Sequence, residues 1–106
     1  SSVISLPAGT YYCEASAPAY KAGNHQIKLR DTTSPADLLI GSTERTDSGD
    51  GVTTRSIIRG RFTIAGTKNI ELQHRCATTR STDGLGNSGN LGVVEVFAEI
   101  CIWRIA

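Results

Sequence analysis

The chain predicts an all-β domain, an antiparallel jelly-roll β-sandwich of about seven to eight strands. Apolar and polar residues alternate with a period of two in nearly every segment. No window carries a helical apolar stripe, and clusters of Gly, Pro, Asn, Asp and Ser separate the alternating runs. An immunoglobulin-like sandwich needs a Cys, Trp, Cys order, whereas the lone Trp103 follows every cysteine.

Taken in order, residues 2–6 form a short strand that ends at Pro7-Ala8-Gly9. Residues 10–17 form the second, with Tyr11, Cys13, Ala15 and Ala17 on one face and Tyr12, Glu14 and Ser16 on the other; Pro18 stops it. Lys21-Ala22-Gly23-Asn24 turns the chain into a strand over 25–31, where Ile27 and Leu29 point inward and Gln26, Lys28 and Arg30 outward. The connection 31–37 contains Pro35, a strand covers 38–44, and 45–51 is a polar loop.

The longest alternating run, 54–64, sets Ser56, Ile58, Gly60, Phe62 and Ile64 against Arg55, Ile57, Arg59, Arg61 and Thr63. Residues 65–68 are a tight connection to a strand over 69–77, in which Ile70, Leu72, His74 and Cys76 alternate with Glu71, Gln73 and Arg75. Residues 78–92, rich in Gly, Ser, Thr, Asn and Asp, read as an exposed loop. The closing strand, 94–105, has two apolar faces. Val94, Val96, Ala98, Ile100 and Ile102 suit a core, while Glu95, Phe97, Glu99, Cys101, Trp103 and Ile105 share the other side. A face that alternates the only Trp with carboxylates is expected to meet protein, which predicts an oligomer.

At 106 residues the chain is one domain, 1–106. A formal net charge of +1 gives no nucleic-acid footprint, and no apolar run approaches the roughly 20 residues of a membrane span. The absence of Met and an opening of Ser1-Ser2 read as the C-terminal part of a longer protein. Cys13, Cys76 and Cys101 fit neither a disulfide framework nor a metal-binding spacing, and are expected as buried thiols, with a Cys13–Cys76 bridge as the alternative.

Chemistry-bearing constellations are sparse. His74 alternates with Leu72 and Cys76 and is expected as a hydrogen-bonded core residue, and His25, beginning a strand beside a loop, as a surface residue. No nucleophile elbow, P-loop or dinucleotide fingerprint is present. Asp47 with Asp50, and Asp83 with Asn87 and Asn90, lack the spacing of a calcium loop and suit ordinary turns. The expectation is a non-enzyme without metal or cofactor.

The phrase Leu6-Pro7-Ala8-Gly9-Thr10-Tyr11-Tyr12 is similar to the proline-glycine-x-tyrosine lead-in of the complement globular-head domains, which share the tumour necrosis factor jelly roll. The closing strand, with Ala15-Ser16-Ala17-Pro18-Ala19 and Glu71-Leu72-Gln73-His74-Arg75, also resembles the C-terminal domains of bacteriophage tail and fibre proteins. One departure is that the family begins with one or two further strands before the segment matching 2–6, so an edge is expected to be open.

The resemblance implies a homotrimer in which 10–17, 56–64 and 94–105 lie side by side in an inner sheet facing the threefold axis. The interface residues it selects are Tyr12, Glu14, Ile57, Arg59, Arg61, Glu95, Phe97, Glu99 and Trp103. It further implies a viral structural protein: a tail or fibre head on the virion, extracellular when functioning, binding a host-surface receptor or glycan. Loop candidates for that binding are Tyr20, His25, Arg45, Asp47, Asp50, Arg80, Asp83, Asn87 and Asn90. The alternatives are a purely structural trimerising, capping or virion-decorating domain, and a secreted ligand of the tumour necrosis factor or complement type.

Overall fold

Two antiparallel sheets account for the alternation in the computed structural model, which describes residues 3–47, 49, 51–77, 84, 86, 91–93 and 97–106. The strands are β1 (Val3–Leu6), β2 (Gly9–Tyr20), β3 (Gly23–Asp31), β4 (Ala36–Ile40), β5 (Glu44–Thr46), β6 (Thr53–Ile64), β7 (Lys68–Cys76) and β8 (Glu99–Arg104). The first sheet runs β1-β7-β3-β4, with β5 also pairing β3, and the second runs β6-β2-β8. The chain is all-β, with no helix among the described residues.

The core is the inward parity of each strand: Tyr11, Cys13, Ala15 and Ala17 from β2, Ile27 and Leu29 from β3, Ile58, Phe62 and Ile64 from β6, and Ile70 from β7. Ile100 and Ile102 of β8 pack against it. The middle strand of the second sheet contributes mainly small side chains, so the flanking strands and the facing sheet fill the space. Gly60 lies opposite Cys13, and a Cβ there would sit 3.0 Å from Leu39 Cδ2. Leu39 of the first sheet therefore packs closely over Gly60, and a larger residue there would have to displace its tip. Tyr11 stacks on Phe62 with ring centroids 5.4 Å apart, and its hydroxyl donates to Pro7 O at 2.7 Å.

Pro18 does not stop β2, which pairs with β6 as far as Tyr20 and Thr53. Tyr20 N donates to Gly84 O, away from β6, so the missing N–H of Pro18, two residues earlier, faces the same side and costs the β2–β6 ladder nothing. Pairing with β8 already ends at Ser16.

The expected strand over 38–44 is split into β4 and β5 at Gly41. Gly41 N donates to Ile27 O, and a Cβ at Gly41 would meet Ile27 Cγ1 at 2.7 Å and Ser56 Oγ at 2.9 Å. The chain dips between the sheets here. Ser56 Oγ accepts from Ile27 N at 3.1 Å and donates to Ser42 O at 2.5 Å, so the fully buried hydroxyl joins three segments.

The closing strand is shorter than expected, and Val94, Glu95 and Val96 lie outside the described residues. Within the expected loop 78–92, Leu91 and Gly92 are exposed, while Gly84 is buried with its carbonyl on Tyr20. Among the described residues β8 pairs only with β2 and forms an edge of its sheet.

Candidate functional site: the outer face of the second sheet

Strand register turns three sequence segments into one surface. Across β6, β2 and β8 the rows are Arg61–Tyr12–Trp103, Arg59–Glu14–Cys101 and Ile57–Ser16–Glu99. All belong to the parity opposite the core. Alternation had placed them on one side of each strand; pairing places the strands together.

The rows leave apolar surface in water. Trp103 is 48% exposed and Ile57 44%, and the Tyr12 and Trp103 rings lie 5.8 Å apart, tilted by 31°. Ser16 and Cys101 are small, so a depression of about 200 Å³ opens between Ile57, Arg59, Glu14 and Glu99. Tyr12 and Trp103 rise beside it.

Charge is only partly resolved within the chain. Tyr12 Oη donates to Glu14 Oε2 at 2.8 Å, and this hydrogen bond, with partial burial and the carboxylate's charge, raises the phenol above its ordinary pKa. Arg55 reaches along the face to Ser16 Oγ at 2.9 Å, to Phe97 O and to Glu99 Oε1 at 3.5 Å. Among the described residues the ion pairs are Lys28–Asp37, Arg30–Asp37 and Arg55–Glu99, and neither Arg59 nor Arg61 takes part in one. Arg55 is missing from the interface set read from the sequence, although its parity with Ile57 and Arg59 marks it.

Phe97 departs from the expected arrangement. It precedes β8, its ring sits where a Cβ on Gly86 would meet it at 2.4 Å, and with Ala17, Leu72 and His74 it lines a slot at the side of the sandwich. The strand that would have carried it outward begins two residues later. Glu95 lies outside the described residues.

The loop candidates divide. Arg45 and Asp47 are exposed and Tyr20 is half-buried, at the end of the sandwich where Gly23 pairs with Thr46 and Tyr20 with Thr53. His25 is corrected: it is 2% exposed, sharing the inward parity of Ile27 and Leu29, the signal that identifies it as internal. Asp50, Arg80, Asp83, Asn87 and Asn90 lie outside the described residues. His74 is hydrogen-bonded, as expected, with His25 as its partner, but it is half-buried rather than a core residue.

The cysteines are all free, which removes the Cys13–Cys76 bridge, and only Cys13 is buried; Cys76 is half-buried and Cys101 exposed. Burial, with the neighbouring Cys101 and Glu14, pushes the Cys13 thiol up to about 11, so it is a core hydrophobe at neutral pH. No group of three or more His, Cys, Asp or Glu able to hold a metal ion occurs among the described residues.

No family model, curated protein or solved structure matches the chain.

Proposed function

We propose that this chain is a homotrimeric structural module, of the phage tail or fibre kind its sequence resembles, with the outer face of the second sheet as the subunit contact. The observation that carries the proposal is the pairing of exposed Ile57 and Trp103 with two guanidinium groups that have no ion-pair partner among the described residues. Aromatic and Arg side chains are the types enriched at interface cores. Arg binds a neighbouring carboxylate through a planar fork and stacks on rings.

The face is also polarised across its width. The β6 column carries Arg55, Arg59 and Arg61, and the β8 column carries Glu99, Cys101 and Trp103. A head-to-tail contact about a threefold axis sets the β6 side of one copy against the β8 side of the next, bringing Arg59 and Arg61 to Glu99 and Trp103. A two-fold contact with like columns facing would oppose arginines to arginines. Covering Tyr12, Ile57 and Trp103 contributes on the order of 1.5–3 kcal/mol for each side chain, whereas the ion pairs roughly break even after desolvation. Apolar cover supplies affinity and charge sets the register.

The jelly-roll form is supported by the order β1-β7-β3-β4 facing β6-β2-β8, with the β1–β2, β2–β3, β5–β6, β6–β7 and β7–β8 connections passing between sheets. Host-surface binding is the second reading, favoured by Arg45 and Asp47 standing exposed with Tyr20 at one end. Light scattering of the purified chain tests the assembly: a mass of three chains is expected, and one chain at every concentration overturns it. Glycan arrays and host cells probed with the assembled protein test adhesion, and a lack of binding leaves the structural role alone.

A further inference from the structure

Thr54 of β6, His25 of β3 and His74 of β7 form a hydrogen-bonded line from one sheet to the other. His25 Nδ1 lies 2.9 Å from His74 Nε2, and His25 Nε2 lies 2.7 Å from Thr54 Oγ1. The rings are 5.1 Å apart at 58°, with His25 buried and His74 partly so. The self-association proposed above uses none of these groups.

Proton count decides what the line can do. A contact between two ring nitrogens holds one hydrogen, whereas a hydroxyl both gives and accepts. With both imidazoles neutral, either His25 donates to His74 and accepts from Thr54, or His74 donates to His25 and His25 donates to Thr54. One added proton fits, because a cationic His25 donates from both nitrogens. A second does not: two N–H groups would then face each other across 2.9 Å.

The surroundings are apolar on one side and charged on the other. Glu44 of β5 pairs with His25 and favours its protonated form, Cys76 of β7 pairs with His25 on the other side, and Thr54 faces it from β6. His74 shares a slot with Ala17, Pro18, Leu72, Phe97 and Ala98, and it also lines a depression with Lys28, Asp37 and Arg75; the charge that acts on it most directly is that of His25. Arg75, one residue along β7, also borders a depression with His25, Cys76 and Asn24, and its charge disfavours protonation of either ring.

We infer that His25 and His74 form an acid-sensitive latch between the two sheets, closed around one shared hydrogen and opened when both imidazoles are protonated, which loosens the end of the sandwich that carries Arg45 and Asp47. Burial holds both imidazoles below their ordinary value, and the charge of His25 lowers His74 further. An unfolded chain protonates both near pH ~6.5, while the latched pair accepts one at most. The latch therefore stabilises the fold above that pH and loses its contribution as pH falls. The unfolding constant should rise by about tenfold per pH unit for each proton held in excess by the unfolded chain.

Denaturant unfolding between pH ~7.5 and ~5 tests this, above the range in which ordinary carboxylates titrate. Near pH ~5 the unaltered protein should take up between about one and two protons on unfolding, and near pH ~7.5 almost none. His74→Gln, which keeps a hydrogen-bonding side chain and removes one titrating ring, should take up about one fewer. Equal pH dependence in both proteins overturns the latch. Nitrogen NMR of the unaltered protein decides the matter even where the variant does not fold. One shared hydrogen with coupled titration supports the inference, and two rings titrating independently near pH ~6.5 in the folded protein overturn it.

Discussion

The outward faces of the two sheets finish their charges differently. On the first, Asp37 accepts from Arg30 at 2.5 Å and lies 3.2 Å from Lys28, Gln73 donates to Glu71, and Gln26 donates to Gly41 O. On the second, Arg59 and Arg61 make no ion pair among the described residues, while Ile57 and Trp103 stand open. The first face also exposes apolar side chains, Val3 at 52% and Ile40 at 58%, but on β1 and β4, opposite edges of the sheet. Scattered single residues of that kind are normal on a solvated surface. What differs is the make-up of the rows: the first face sets Ile40 beside Lys28, Asp37 and Arg75, whereas the second aligns Tyr12, Trp103 and Ile57 with Arg59 and Arg61, the arrangement on which the proposed subunit contact rests.

The most severe way to break the comparison is a charge on each face at similar exposure. Ile57→Lys should weaken self-association sharply, because it replaces apolar cover with an ammonium that must be desolvated on assembly. Ile40→Lys should leave the mass in solution unchanged. Equal effects from the two would remove the distinction between the faces. Next in size is Trp103→Ala, expected to weaken each subunit contact by about 1.5–3 kcal/mol, or about ten- to hundredfold in dissociation constant; sedimentation velocity over a dilution series measures it.

Arginine changes sharpen the contrast. Arg59→Ala and Arg61→Ala should reduce the salt dependence of assembly, measured by the dissociation constant at low and high ionic strength. Arg30→Ala should leave assembly alone and change folding stability by no more than about 1 kcal/mol, as for an exposed ion pair. The smallest effect concerns Asp37, whose carboxyl is held below its ordinary value by hydrogen bonds from Arg30 and Lys28. A lowered folded value means that its stabilisation is present above pH ~4 and lost as pH falls below it. Acid unfolding of Asp37→Asn should therefore differ from the unaltered chain only in that range, well below the window of the histidine latch.

Much of the fold was legible because a period of two is strong where one face is buried. The parities of β2, β3, β6 and β7 follow directly from alternation, and β6 was expected within one residue of its observed start. Pro18 misled because the cost of its missing N–H depends on which neighbour that group would face, a matter of pairing. Gly41 hid a corner because a lone glycine inside an apolar run does not announce a close approach to Ile27 and Ser56. The rows Arg61–Tyr12–Trp103 and Arg59–Glu14–Cys101 needed register between distant segments. The resemblance implied that those three strands lie side by side without giving their order, in which β2 is central; composition gave neither. The burial of His25 was available from its parity with Ile27 and Leu29, but its contact with His74 depends on the β3–β7 register.

Trp103 is the only tryptophan, so its fluorescence reports directly on the face in question. Emission and iodide quenching, followed with sedimentation mass over a dilution series, test the central claim most directly. The account predicts a blue-shifted, quench-protected indole in a particle of three chains, turning red-shifted and accessible as that particle dissociates. An indole open to iodide at every concentration, in a particle of 11.3 kDa, would contradict it.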